Sequence, residues 1–236
     1  MRSSPSVADP LDPGPAGFAH RGLHRGAEFP ENSLLAFAAA LEAGAGIECD
    51  LRLTADDRVL VFHDADAWRI CGSPLRIGAC NLAELARLRV GDGPIPTLED
   101  TLQLVGGRVP LLLEVKVAAD LWRWVPALKQ ALSGYDGRFG VMSFDARLPR
   151  LLKTNWPDVR RGLVIKDALS GWKRFWALRL AAPQFVAVET AALGRPWVER
   201  ARRRMPVYAW TVRNSEQRQQ AEVHADASIW EGDGRP

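Results

Sequence analysis

The chain has 236 residues, of which 47% are hydrophobic and 25% charged; that is enough apolar material for one large core and too much for a disordered chain. A formal net charge of +3 is a small excess of 31 basic over 28 acidic residues, and no basic stripe is interleaved with aromatics, so nucleic acid is not expected as a partner. Arg, Asp or Glu interrupts every apolar segment before it reaches the roughly 18 residues that cross a bilayer, so no transmembrane segment is expected.

Residues 1–15, MRSSPSVADPLDPGP, are rich in Pro and Ser and hold no signal-peptide apolar run, so they read as a flexible tail before a single domain over 16–236. Strands are expected at 17–20, 46–51, 111–116, 139–143, 161–165, 185–189, 207–212 and 227–230. Helical patterns lie between them, among them 33–43, 119–132 and 172–181, each long enough to cross back over a parallel sheet. Eight strands alternating with helices predict an α/β protein, a (β/α)8 TIM barrel with its active site at the C-terminal strand ends. The run 59–63, VLVFH, follows the second strand after only four residues, too few for a parallel crossover. It is therefore expected to turn back as a short β-hairpin extension after that strand. A turn centred between Ala55 and Asp56 would set His63 opposite Glu48 and Val61 opposite Asp50. The basic run at 199–204 reads as the C-terminal turn of a helix, where cations favour the helix dipole. Three cysteines, Cys49, Cys71 and Cys80, are an odd number at no metal-site spacing and suggest a reducing, cytoplasmic location.

The chemistry concentrates at strand ends. Glu48 and Asp50 are two apart and share one strand face; Glu114 and Lys116 repeat the pattern after three leucines. Buried carboxylates need partners, and a divalent cation is one that three converging acids can share. An all-oxygen set favours a hard ion, Mg²⁺ or Ca²⁺, over zinc. His20 ends the first strand, and the hairpin brings His63 toward the same acids, so the two imidazoles are candidate proton donor and acceptor. Arg21 and Lys116 offer positive charge suited to a phosphate.

In order, His20-Arg21-Gly22, Pro30-Glu31-Asn32-Ser33, Glu48-x-Asp50, His63-Asp64 and Leu113-Glu114-Val115-Lys116 closely resemble the signature of the glycerophosphodiester phosphodiesterase family. Looser similarity runs on through Ile95 to Glu99, Ser143-Phe144 and Trp210-Thr211-Val212. The resemblance implies metal ligation by Glu48, Asp50 and Glu114, acid–base work by His20 and His63, and substrate or phosphate contacts from Arg21, Lys116 and Trp210. It implies hydrolysis of a small-molecule glycerophosphodiester to glycerol 3-phosphate and an alcohol. Glu31 and Asn32 are expected to shape the first loop, with Asn32 also suited to cap the helix that follows. The sequence departs from the family pattern at Ser228-Ile229-Trp230-Glu231-Gly232, which lacks the usual Thr-Asp, and at Arg213, where Asn is common.

Two other readings stand beside this one. Trp172, Phe175 and Trp176 recur at helical spacing next to Lys173 and Arg174; packing against the barrel is the plainer expectation, membrane-surface contact with lysophospholipase D-type cleavage of lysophospholipids the alternative. The second is a barrel that binds a phosphodiester without turning it over.

Overall fold

A computed structural model describes residues 9–118 and 120–236, so the start of the helix expected from residue 119 lies outside the described residues. The main sheet has nine strands, β1 (Phe18–His20), β2 (Gly46–Leu53), β3 (Val59–Val61), β4 (Leu111–Val115), β5 (Phe139–Ser143), β6 (Arg161–Ile165), β7 (Phe185–Glu189), β8 (Val207–Val212) and β9 (Ala227–Trp230). All but β3 run parallel in one ring. The ring closes where β1 pairs on one side with β9, Phe18 against Ile229, and on the other with β2, Phe18 against Gly46. The atypical last strand therefore leaves barrel closure intact. Around the ring pack α1 (Leu34–Glu42), α2 (Leu98–Val105), α3 (Trp124–Ala131), α4 (Arg147–Asn155), α5 (Gly171–Ala181), α6 (Pro196–Arg202) and α7 (Ser215–His224). This is the expected (β/α)8 barrel. The last turn of α6 carries Arg200 and Arg202, as the basic run predicted.

Because both faces of a barrel strand are covered, the strands are apolar on both, and the two-residue alternation divides their side chains between two cores. Outward residues such as Ile47, Leu113, Val141, Leu163, Val186 and Ala209 pack among the helices. Inward residues Phe18, Leu112, Met142, Val164, Ala187, Tyr208 and Ile229 fill the barrel as a separate cluster. Two residues further along those same inward rows stand His20, Glu114, Phe144, Lys166, Glu189, Trp210 and Glu231. An apolar floor thus carries a polar mouth.

The N-terminal segment contributes to that floor. Leu11 is 2% exposed within the barrel cluster, and the Tyr208 hydroxyl donates to Asp9 Oδ2 at 2.6 Å. The reading of residues 1–15 as a flexible tail is corrected for 9–15, because an inward leucine plugs the barrel's open lower end; residues 1–8 lie outside the described residues.

The hairpin forms, but its register differs by one from the expected pairing. Leu51 faces Val61 and Leu53 faces Val59. Asp57 N donates to Thr54 O at 3.3 Å, Thr54 N donates to Arg58 O at 3.0 Å, and Asp57 sits at φ +61°. That is a three-residue loop, a turn followed by a left-handed residue, and its odd length centres the hairpin on Asp56. Val61 is therefore not opposite Asp50, and the ladder has ended before His63. His63 reaches the mouth by another route. Beyond Val61, Phe62 N donates to Asp50 O at 2.8 Å, and Arg52 grips the His63 carbonyl through Nε and Nη2 at 2.9 and 2.7 Å. A small core of its own, with Leu60, Phe62, Ile77 and Leu85 buried, seats this extension on the barrel.

Helix α5 corrects another expectation. Its inward side is made of Ala177, Leu178 and the buried Ala181, while Trp172, Phe175 and Trp176 face outward and are exposed. Small inward residues already fill the contact with the barrel. Among the described residues, no helix is long and apolar enough to cross a membrane.

Candidate active site

The first loop positions its side chains through two left-handed residues. Arg21 and Asn32 have φ +56° each, an arrangement L-residues adopt only when the surroundings enforce it. Between them Gly22 passes so close to α1 that a Cβ there would lie 2.9 Å from the Ala36 carbonyl oxygen, at φ +79°. No other residue type fits there without displacing backbone. Arg21 in that conformation donates its backbone N–H to Glu48 Oε2 at 3.2 Å and sets its guanidinium Nε 3.0 Å from Asp50 Oδ2. Asn32 does not cap α1. Ser33 does, its Oγ accepting from Ala36 N at 3.1 Å, while both ends of the Asn32 amide bind Asp50: Nδ2 donates to Oδ2 at 2.9 Å and Oδ1 accepts from the Asp50 N–H at 3.2 Å. Cap and clamp are adjacent residues, and only the helix start separates them.

Glu48, Asp50 and Glu114 come together as expected, each offering a carboxylate oxygen within 4.8 Å of the others, and all three are buried. Lys116 lies 2.8 Å from Asp50 Oδ1 and also contacts Glu114 Oε1. Burial would push Asp50 up, but Lys116 and then Arg21 outweigh it and hold Asp50 well below the usual carboxylate range. Glu48 goes the other way, raised by burial and then by Asp50 and Glu114. Glu114 is pushed up to about 7 by burial and then Asp50, with Lys116 offsetting part of the rise.

Three carboxylates against two cations leave the cluster one charge short of balance. Glu48 Oε1 is buried without a hydrogen-bond partner among the described residues. An orphaned carboxylate oxygen in an all-oxygen set fits a hard divalent cation, which would bring the cluster to one net positive charge, the complement of a phosphodiester.

Glu114 also gives the site a pH signature. Its ordinary value is 4.5 and its folded value about 7. Without a cation the folded protein thus keeps a proton that the unfolded chain has released, so the stability present below pH 4.5 is lost as pH rises through about 7. The rise in Tm on adding a saturating divalent cation, which favours the ionised carboxylate, to chelator-treated protein should therefore grow between roughly pH 5 and pH 8. Scanning calorimetry reads the difference. A rise that stays the same across that range would contradict the ligand set.

Both histidines are built in the same way. His20, paired along the sheet with Glu48, donates from Nδ1 to Glu231 Oε2 at 2.6 Å, and its Nε2 lies 3.9 Å from Glu48 Oε2. Glu231 in turn receives Arg213 Nε at 2.6 Å. His63 Nδ1 donates to Asp64 Oδ1 at 2.6 Å, and Arg69 Nε holds Asp64 Oδ2 at 2.7 Å. Arg69 continues to Glu31 at 2.7 and 2.9 Å, and Glu31 takes Arg21 Nη1 at 2.9 Å, which links the His63 arm back to Asp50. The hydrogen bond from His20 lowers Glu231, and Arg69 with His63 lowers Asp64 against the effect of burial, so both carboxylates are acceptors and the Nδ1 atoms carry the protons. Burial lowers both histidines below their ordinary value and keeps Nε2 a free base near neutrality.

Trp210 lies within β8 with its indole edge-on to Phe144 at 5.3 Å and its Nε1 buried without a partner among the described residues; the Trp210–Thr211 peptide bond is cis. Phe144 also lies under two cations, Lys116 at 5.7 Å and Lys166 at 5.3 Å. The structure therefore gathers His20, Arg21, Glu48, Asp50, His63, Glu114 and Lys116 into one cluster, with Trp210 at its wall. Glu231 and Arg213 stand in the candidate site and were missed by motif reading, which registered them only as departures. The signal was the inward alternation: Glu231 follows Ile229 by two on the face that carries His20.

Comparisons with known proteins bear on the sequence and the fold. A sequence model of the Glycerophosphoryl diester phosphodiesterase family matches residues 20–230. A glycerophosphodiester phosphodiesterase of Caldanaerobacter subterraneus subsp. tengcongensis is 30% identical over 166 residues, 64% of this chain and 67% of that protein. One from Bacillus altitudinis is 34% identical over 116 residues, and the aligned part spans 46% of that protein's length. Among solved structures, the glycerophosphodiester phosphodiesterase of Thermotoga maritima superposes with TM-score 0.75 at 25% identity, covering 90% of this chain and 92% of that one. An Oleispira antarctica phosphodiesterase, solved in complex with the product sn-glycerol-3-phosphate, shares the fold with TM-score 0.79 at 21% identity, covering 92% of each chain.

Proposed function

Because the chain belongs to the glycerophosphoryl diester phosphodiesterase family, we propose that its barrel mouth hydrolyses glycerophosphodiesters to glycerol 3-phosphate and an alcohol. The observation that carries this reading is the pair of histidines, each seated through Nδ1 on its own carboxylate beside a carboxylate cluster with an unpartnered oxygen.

Glu48, Asp50 and Glu114 would hold Mg²⁺ or Ca²⁺. A cation there supplies Lewis-acid polarisation of a non-bridging phosphate oxygen and offsets charge that develops in the transition state. Arg21 and Lys116, drawn into the mouth by Asp50, present the positive charge that orients the phosphate. One histidine takes the proton of the nucleophile, a water or the neighbouring glycerol hydroxyl, on its free Nε2. The other acts as the acid after its Nε2 has also gained a proton, an imidazolium that its carboxylate and the entering phosphate anion favour; the Nε2–H bond breaks as the proton passes to the departing alkoxide, and the ring returns to its Nδ1–H form. Glu231 and Asp64 keep each ring in the tautomer that leaves Nε2 facing the substrate. Trp210 closes the wall, its unpartnered indole N–H available to a substrate oxygen. The three cysteines are free, in keeping with a cytoplasmic setting.

A barrel that only binds phosphodiesters would have no use for two histidines held on carboxylates. Purified protein incubated with glycerophosphocholine and a divalent cation should release glycerol 3-phosphate and choline in equal amounts. Binding without release of either product would leave the binding-only reading in place.

A further inference from the structure

Helix α5 exposes four large apolar residues: Trp172 by 66%, Phe175 by 54%, Trp176 by 61% and Leu180 by 45%. At 3.6 residues per turn these four, with Lys173 and Arg179, occupy one continuous arc, and Ala177, Leu178 and Ala181 take the other. The cations frame the aromatics: Lys173 Nζ lies 5.7 Å from the Trp172 ring and the Arg179 guanidinium 5.9 Å from Phe175. No acidic residue lies in the helix.

This face adjoins the active site. Helix α5 begins a few residues beyond the C-terminal end of β6, and the connecting loop starts with Lys166, whose ammonium stands over the 38% exposed Phe144. Phe144 touches Trp210 and Lys116, so side chains run from the acid cluster to the loop that leads into the helix. Two more exposed tryptophans sit on the same rim: Trp122, after β4, and Trp68, next to the Arg69 that holds Asp64.

We propose that this face docks the enzyme on an anionic lipid bilayer, with the α5 side of the barrel's rim at the membrane surface. Indole rings with one wet edge and one apolar body settle at the headgroup level, and lysines and arginines beside them match anionic headgroups. An eleven-residue helix lies along such a surface and is too short to cross it. A second copy is a poor occupant, since two-fold pairing of this face would bring the cations Lys173 and Arg179 of both copies together with no acid on the helix to separate them. The nearest acid of the connecting loop, Asp167, is already paired with Arg195 at 2.7 Å. Docking brings an acylated diester, a lysophospholipid, from the interface to the site; that consequence rests on the hydrolytic reading, whereas docking itself does not.

The test is co-sedimentation of the full chain with large vesicles of phosphatidylcholine alone or mixed with phosphatidylglycerol. Wild type should pellet with the anionic vesicles, and Trp172→Ser/Trp176→Ser or Lys173→Glu/Arg179→Glu should each weaken binding by at least about tenfold. Both variants should turn over soluble glycerophosphocholine at the wild-type rate while losing activity on vesicle-borne lysophosphatidylcholine. Wild type remaining in solution, unchanged binding by the tryptophan variant, or a wild-type dimer that this variant converts to monomer would overturn docking. Inactivity of wild type on glycerophosphocholine would overturn the hydrolytic reading alone.

Discussion

Replacing His63 with alanine should lower kcat by about 10²- to 10⁴-fold, the range over which one general acid or base contributes. The fold should survive. The side chain is one-third exposed, and the loop is held by Arg52 on the His63 carbonyl, a contact that the substitution leaves in place. His20→Ala should cost a similar factor. His20 is the more enclosed of the two, 13% exposed, and its loss strands Glu231, which keeps Arg213 and lies near His24 at 3.7 Å. The variants should also differ from wild type in pH dependence. Burial holds both imidazoles below 6.5, so wild-type kcat/KM should fall as pH drops through a value beneath 6.5, where the base gains a proton. The variant lacking the base loses that limb; the variant lacking the acid keeps it. Full turnover by either alanine variant removes that histidine from the mechanism.

Removing the cation should have an effect as large. Treatment with a chelator should abolish release of glycerol 3-phosphate, and adding back Mg²⁺ or Ca²⁺ should restore it. Glu48→Gln probes the same site from the protein side. It keeps the volume, retains an acceptor for the Arg21 N–H, and replaces the charge whose Oε1 has no partner. The cation concentration for half-maximal activity should rise at least about 100-fold, the upper end of what outer-sphere partners alone cost. Asp50 is the harsher target, because Lys116, Arg21 and Asn32 all converge on it and its loss would leave buried cations unmatched. An unchanged cation requirement in Glu48→Gln, with the variant folded, would take Glu48 out of the ligand set.

Much of this was legible in the sequence, and the reason is periodicity. A barrel strand shows one face to the helices and one to the interior, so Glu48 with Asp50 and Glu114 with Lys116 could be assigned to one face from spacing alone. Strand ends were legible because a polar residue closes an apolar run, as His20 does after Phe18 and Ala19. What escaped depends on a single residue of geometry. The hairpin register turned on whether the loop held an even or odd number of residues, which the left-handed Asp57 decides and Asp-Asp does not announce. Asn32 suited the cap by residue type, but the Asp50 carboxylate claims its amide and the cap falls to Ser33, one residue on. Leu11 sat in a Pro-rich stretch whose composition conceals one buried anchor. Glu231 and Arg213 were visible as departures from a pattern; the structure joins them as one unit behind His20.

Crystals soaked in Mn²⁺, a surrogate for the hard divalent ions an all-oxygen site selects, would locate the cation by anomalous scattering. The predicted result is one strong peak bounded by Glu48, Asp50 and Glu114, lost in Glu48→Gln. A peak elsewhere, or none in protein that stays active in cation-free buffer, would contradict the assignment.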